Sequence, residues 1–213
     1  MKAWEHLAHR LRRQDGRLAP LIEAIGAPRL ELETSEFRAL AENILSQQLA
    51  TKAARSIIEK VSALSRPFPG PETILKMNVK RLRASGVSQA KVEYLKALSR
   101  QWQISVWRKG WGKCSDEDLV ERLTQVKGIG EWTAHMFLIF SLGRPNVFPI
   151  GDFGIRRGVM WLLKLDEMPL PKQMRELVPE WEGAYSVASW YLWQAQDRKL
   201  LIAGVDPLAP SSL

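Results

Sequence analysis

Apolar positions recur at helical spacing almost from the first residue, and no segment keeps up the apolar–polar alternation of a half-buried strand. Trp4, Leu7, Ala8 and Leu11, then Leu18 through Ile25, predict helix over residues 1 to about 26. Asp15-Gly16 breaks it in two, Pro20 lies near the start of the second piece, and Gly26-Ala-Pro28 ends it. Thr34 or Ser35 then caps a long helix to about Ala63, with Phe37, Leu40, Ile44, Ala54, Ile57, Ile58 and Val61 on its buried stripe. Ser46-Gln47-Gln48 interrupts that stripe and reads either as a short loop or as an exposed helical face.

After a connector from Ser65, Pro71 opens a short helix through Met77, and Val79 to Ala84 makes another. Gly86-Val-Ser88 is a turn, with Ser88 the cap of a helix continuing to about Val106. Ser115 and Asp118 form a capping-box pattern before a helix over Glu117 to Thr124. A second helix runs to about Leu142, where Gly143 ends it, and an extended connector spans Arg144 to Gly151. Further helices cover Phe153 to Lys164, Pro171 to Leu177 and Gly183 to about Asp197, and the tail from Gly204 is frayed. The fold class is all-α.

Between the helices on either side, Val126-Lys-Gly-Ile-Gly130 is a tight turn. Gly128 and Gly130 permit backbone angles or approaches that a side chain forbids, and Ile129 pins the turn inward. The first-turn amides of the second helix, through Thr133, have no partner within that helix. Such amides can hold a phosphate, with Lys127 adding charge beside it. Turn chemistry alone equally allows an ordinary glycine bend between packed helices.

Composition narrows the partners. The 213 residues carry a formal net charge of +8, which favours a polyanionic partner, either nucleic acid or an anionic membrane surface. A single cysteine, Cys114, excludes an internal disulfide and any four-cysteine zinc or iron–sulfur centre of one chain. His6, His9 and His135 form no metal-ligand pattern. No apolar signal core or membrane-length stretch is present, so the expected location is cytoplasm or nucleoid, without membrane. Tryptophan is unusually frequent, at nine residues, serving packing or base stacking.

The stretch Leu123-x-x-Val-x-Gly-Ile-Gly-x-Trp-Thr-Ala134 resembles the helix-hairpin-helix of DNA glycosylases, in the form of the 3-methyladenine DNA glycosylase II type. That family also carries a catalytic Asp behind a Phe-Pro pair, and this chain has Phe148-Pro-Ile-Gly-Asp152. The resemblance implies two helical lobes with a cleft between them, one over about 34–150 and the other over about 1–33 plus 151–203. An Asp after Gly is also an ordinary helix cap, here for the Phe153 helix, and the two roles can coexist.

Other roles follow from the same resemblance. Strand-cleaving relatives place a Schiff-base lysine where this chain has Trp132, which implies a monofunctional enzyme. Trp132, with Trp181 and Met136, maps to the base pocket, where an aromatic face attracts a cationic base. Each is otherwise a core residue. Around Trp181 the family's Arg is missing and Glu182 stands beside it. Gln48 maps to the side chain that fills the space left by an everted nucleotide. Gly86-Val-Ser-Gln-Ala-Lys91 resembles a second family segment near DNA, so Ser88 contacts phosphate or caps its helix. In relatives, hairpin carbonyls hold K+ or Na+; here they would be those of Thr124, Val126 and Ile129.

The implied activity is hydrolysis of the N-glycosidic bond of alkylated purines, N3-methyladenine and N7-methylguanine, with ethenoadenine and hypoxanthine as secondary substrates. The expected partner is double-stranded DNA with a damaged base, bound by a monomer that requires no cofactor. The alternatives are a glycosylase for mismatched or deaminated bases and a non-catalytic DNA-binding module. Asp152 separates the last, since a binder has no need of it.

Overall fold

The computed structural model describes residues 2–30, 32, 33, 35–65 and 67–200, and Thr34 and the tail from Gly204 lie outside them. Every regular element among the described residues is helical. The chain divides into two compact units, Leu32–Gly143 and the pair Met1–Glu31 with Arg144–Leu213. The connector beginning at Arg144 therefore belongs with Asp152 and not with the hairpin. It is tied there by Val147, whose amide donates to Ser186 Oγ (2.9 Å), and by Ser186, whose amide donates to the Pro145 carbonyl (3.0 Å).

The inserted unit contains α3 (Glu36–Ser46), α4 (Thr51–Ala63), α5 (Pro71–Lys76), α6 (Val79–Ala84), α7 (Gln89–Trp102), α8 (Ser105–Arg108), α9 (Asp116–Thr124) and α10 (Glu131–Phe140). Its core packs α3 against α4, α7 and α10, with Leu40, Ile44 and Leu45 fully buried. The long helix expected from residue 34 to Ala63 is two helices. The chain leaves α3 at Gln47, whose ψ of 133° is not helical, and Gln48 takes φ 56°. The helix expected to reach Val106 stops at Trp102, and α8 is a separate single turn. That turn brings Trp107 and Trp111 edge-on to Trp102, continuing through Phe37 and Phe137 as a chain of T-shaped ring contacts, a geometry the aromatic quadrupole favours.

The other unit contains α1 (Lys2–Gln14), α2 (Ala19–Ile25), α11 (Phe153–Leu162), α12 (Met174–Leu177) and α13 (Tyr185–Asp197). Helix α13 packs on α1, α2 and α11 and is buried on nearly every face, as a central helix must be. Gly158 lets α11 approach it, since a Cβ there would stand 3.0 Å from the Leu192 side chain.

Candidate nucleic-acid interface and catalytic carboxylate

In the inserted unit the hairpin closes where the Ile129 amide donates to the Val126 carbonyl (2.9 Å), with both side chains buried. Gly128 has φ 95°, and a Cβ on it would fall 2.1 Å from the Tyr94 ring, so the turn is pressed against an aromatic face. Gly130 caps α10 from an extended conformation, leaving Glu131, Trp132 and Thr133 as its first three residues. Thr133 is buried, however, and its hydroxyl accepts from the Gln47 side-chain amide (3.2 Å), so only its backbone is available to a phosphate. Lys127 is exposed and pairs with Glu93 (2.9 Å), a surface contact weak enough to exchange for phosphate.

Trp132 is 45 % exposed, unlike the core residue that was its alternative. Met136, one turn on, is buried in the unit's core and does not share that exposure. Gln48 is exposed in the four-residue loop between α3 and α4, with exposed Leu49 beside it. Ser88 caps α7, its Oγ accepting from the Lys91 amide (3.3 Å), and remains exposed. The Thr124, Val126 and Ile129 carbonyls are neutral oxygens around one turn, a donor set that suits an alkali cation. The Val126 oxygen still has a second lone pair beyond the one Ile129 uses. Among the described residues, no cluster of His, Cys, Asp and Glu is fit to bind a metal.

In the second unit, Asp152 is the N-cap of α11 and is half-buried. Its Oδ1 accepts from the Ile155 amide (2.8 Å) and from Trp193 Nε1 (3.2 Å). One oxygen thus serves both as the helix cap and as the acceptor of the Trp193 indole N–H, which fixes the orientation of the carboxylate. Gly154 leaves room for the arrangement: a Cβ there would sit 3.1 Å from Asp152 Oδ1 and from the Gln196 amide group. Upstream, Phe148 is buried and stacked on Tyr185 at 4.4 Å, fixing the Phe-Pro turn that delivers Asp152. Phe153, next to it, is 64 % exposed.

Trp181 does not fit the role of a base-facing wall. It is 0 % exposed, edge-on to Phe148, and its Nε1 donates to Asp15 Oδ2 (2.8 Å). Glu182 points its carboxylate at Asn146, whose Nδ2 donates to it (3.1 Å). Nothing local marks Trp193 as a support, and the motifs that contain Gln47 and Lys91 do not announce the contacts these residues make, because their partners lie many residues away.

A glycine hairpin that opens one helix and an anchored carboxylate that caps another are the two features on which the family resemblance rests. The model of the HhH-GPD superfamily of base excision DNA repair proteins matches residues 41–182, and the chain belongs to that superfamily. It is 35 % identical over 181 residues to DNA-3-methyladenine glycosylase 1 of Schizosaccharomyces pombe, covering 82 % of this chain and 79 % of that one. A putative DNA-3-methyladenine glycosylase of Bacillus subtilis is 32 % identical over 202 residues, 90 % of this chain and 70 % of its own. The solved structure of the Schizosaccharomyces pombe 3-methyladenine DNA glycosylase in complex with abasic DNA superposes with a TM-score of 0.81 at 33 % identity, covering 90 % of this chain and 97 % of that one.

Proposed function

We propose that the protein is a monofunctional DNA glycosylase that removes alkylated purines, N3-methyladenine and N7-methylguanine foremost, from double-stranded DNA in base excision repair. The observation that carries this is Asp152, a half-buried carboxylate whose Oδ1 is held by a helix amide and by Trp193. As the base departs with the bonding electron pair, positive charge develops at C1′, and a fixed carboxylate stabilises it. Water then adds at C1′ and gives up its proton with Asp152 as acceptor or orienter. An alkylated purine is cationic in the DNA and leaves neutral, so the site need supply no acid. The exposed Trp132 face favours such a cation.

Exposed Gln48 supports its role in filling the vacated stack, and the hairpin amides support a grip on the neighbouring phosphate, with K+ or Na+ on the Thr124, Val126 and Ile129 carbonyls adding positive charge. The protein acts as a monomer.

The test is base release from a panel of damaged duplexes. Wild type should free methylated purines, and Asp152→Asn should fold and bind DNA normally while losing at least about a hundredfold in rate. Borohydride should trap no protein–DNA adduct, since Trp132 stands where a lyase has its amine. Full activity in Asp152→Asn overturns the catalytic assignment. Release only of mismatched or deaminated bases changes the substrate class, and binding without any release makes the protein a DNA-binding module.

A further inference from the structure

We propose that Lys91 is a positioning residue that, with Gln47, fixes the Gln48 loop to the hairpin so that the intruding side chain and the phosphate grip move as one body. The proposal rests on the glycosylase reading above and on contacts inside the inserted unit. Lys91 Nζ, from α7, donates to the Leu45 carbonyl (2.8 Å) and to the Gln47 carbonyl (2.7 Å). These oxygens lie at the C-terminal end of α3, the negative end of its dipole, where carbonyls lack helical partners. Among the described residues no carboxylate pairs with this half-buried ammonium, and burial lowers its pKa. Holding an ammonium there costs desolvation without the return of an ion pair. What the cation secures is the shape of the backbone.

Gln47 is pinned at both ends. Its carbonyl is held by Lys91, and its side-chain amide donates to the Gly128 carbonyl (2.8 Å) and to Thr133 Oγ1 (3.2 Å). One residue therefore spans the hairpin turn, the first turn of α10 and the end of α3. The next residue, Gln48, sits at φ 56°, a left-handed conformation that costs a non-glycine residue energy and persists only where its surroundings determine it. The Leu49 amide closes the loop on the Ser46 carbonyl (3.2 Å). A loop ordered during folding does not have to be ordered again when DNA is bent and a base turned out, which favours intrusion. The hairpin end of the same tie sets where the phosphate is gripped relative to the opening in the stack.

The experiment compares base release from a fully paired duplex with release of the same lesion from a bulge, where it is already unstacked. Lys91→Met, which keeps the aliphatic stem, should lose about five- to tenfold on the paired substrate and change less than about twofold on the bulged one. Gln47→Ala should show the same asymmetry, and it carries the comparison if Lys91→Met fails to melt cooperatively. Adding Lys91→Met to Gln48→Ala should cost nothing more, because the strut acts through the side chain already removed. Equal losses on both substrates, or losses that add to Gln48→Ala, overturn the proposal. Hydrogen exchange at residues 47–50 reads the strut without turnover: it should accelerate in Lys91→Met, and unchanged protection also overturns the proposal. A wild type that releases no base, alongside accelerated exchange in Lys91→Met, sinks the glycosylase reading while leaving the strut in place.

Discussion

Gly128 meets two demands at once. Its φ of 95° suits a residue without a side chain, and the Tyr94 ring occupies the space a Cβ would need, 2.1 Å away. Gly128→Ala should therefore cost more than a conformational penalty alone, at least about 2 kcal/mol, because the ring must also be displaced. Calorimetry should show the lowered melting temperature, and affinity for abasic DNA should fall with it. An unchanged melt would mean that Tyr94 gives way freely. Gly130, with no heavy atom within 4 Å of its missing Cβ and an extended backbone, is under neither constraint. The two glycines look alike in the motif, yet only one is sterically compelled.

Among the elements, the corner between α1 and α2 has an unexpected importance. Asp15 is 3 % exposed there. Its carboxylate accepts from the Arg17 amide (2.9 Å), Arg17 Nε (2.7 Å) and Nη2 (2.9 Å), and Trp181 Nε1 (2.8 Å). Burial pushes its pKa up, but the hydrogen bonds from Arg17 and Trp181 outweigh that and hold it below the ordinary 3.8. A carboxyl whose folded pKa is depressed gives stability that is fully present above the unfolded value and is lost as pH falls through the folded one. Asp15→Asn should destabilise the protein by about 2 kcal/mol at neutral pH. The gap between variant and wild type in acid titrations followed by circular dichroism should close below pH 3.8. A gap that stays constant to the acid limit would contradict the charged network.

Sequence periodicity located nearly every helix, because each buries a 3.6-residue stripe that survives in the pattern. The turn residues placed the hairpin, the Ser88 and Ser115 caps and the Asp152 cap, since capping is a local bond. The break at Gln47 was half visible, as polar residues inside an apolar run, but the same letters fit an exposed helical face. Only Lys91 and the hairpin, both distant in the chain, decide between the two. Trp181 misled for a related reason: an indole in a motif can face a ligand or a core, and Asp15, far upstream, takes its N–H. Asp15 itself read as a helix breaker, because nothing in Asp15-Gly16 announces a distant partner.

For the molecule as a whole, a formal net charge of +8 suits a DNA partner, and counterion release makes that measurable. With about two to four phosphates contacted, affinity for abasic duplex should fall about tenfold to a hundredfold between 50 and 200 mM salt. At constant ionic strength, replacing potassium with tetramethylammonium, too large for the carbonyls of Thr124, Val126 and Ile129, should weaken binding further. Equal binding in both salts would remove the hairpin ion, and a flat salt response would remove the phosphate grip itself.

The division of the chain has a consequence for how the protein is made. The hairpin unit is an insertion: Glu33 and Phe140 are joined backbone to backbone (3.2 Å), and Leu32 lies against Gly143, so the segment's entry and exit adjoin. During synthesis it can close its own core once Gly143 has left the ribosome. Helices α1 and α2 must wait for α13, their chief support, to be translated. The Asp152 carboxylate, anchored by Trp193 of α13, is therefore completed last, after the hairpin unit already has its shape, and under the proposed function a nascent chain stalled between them would be a grip without a blade.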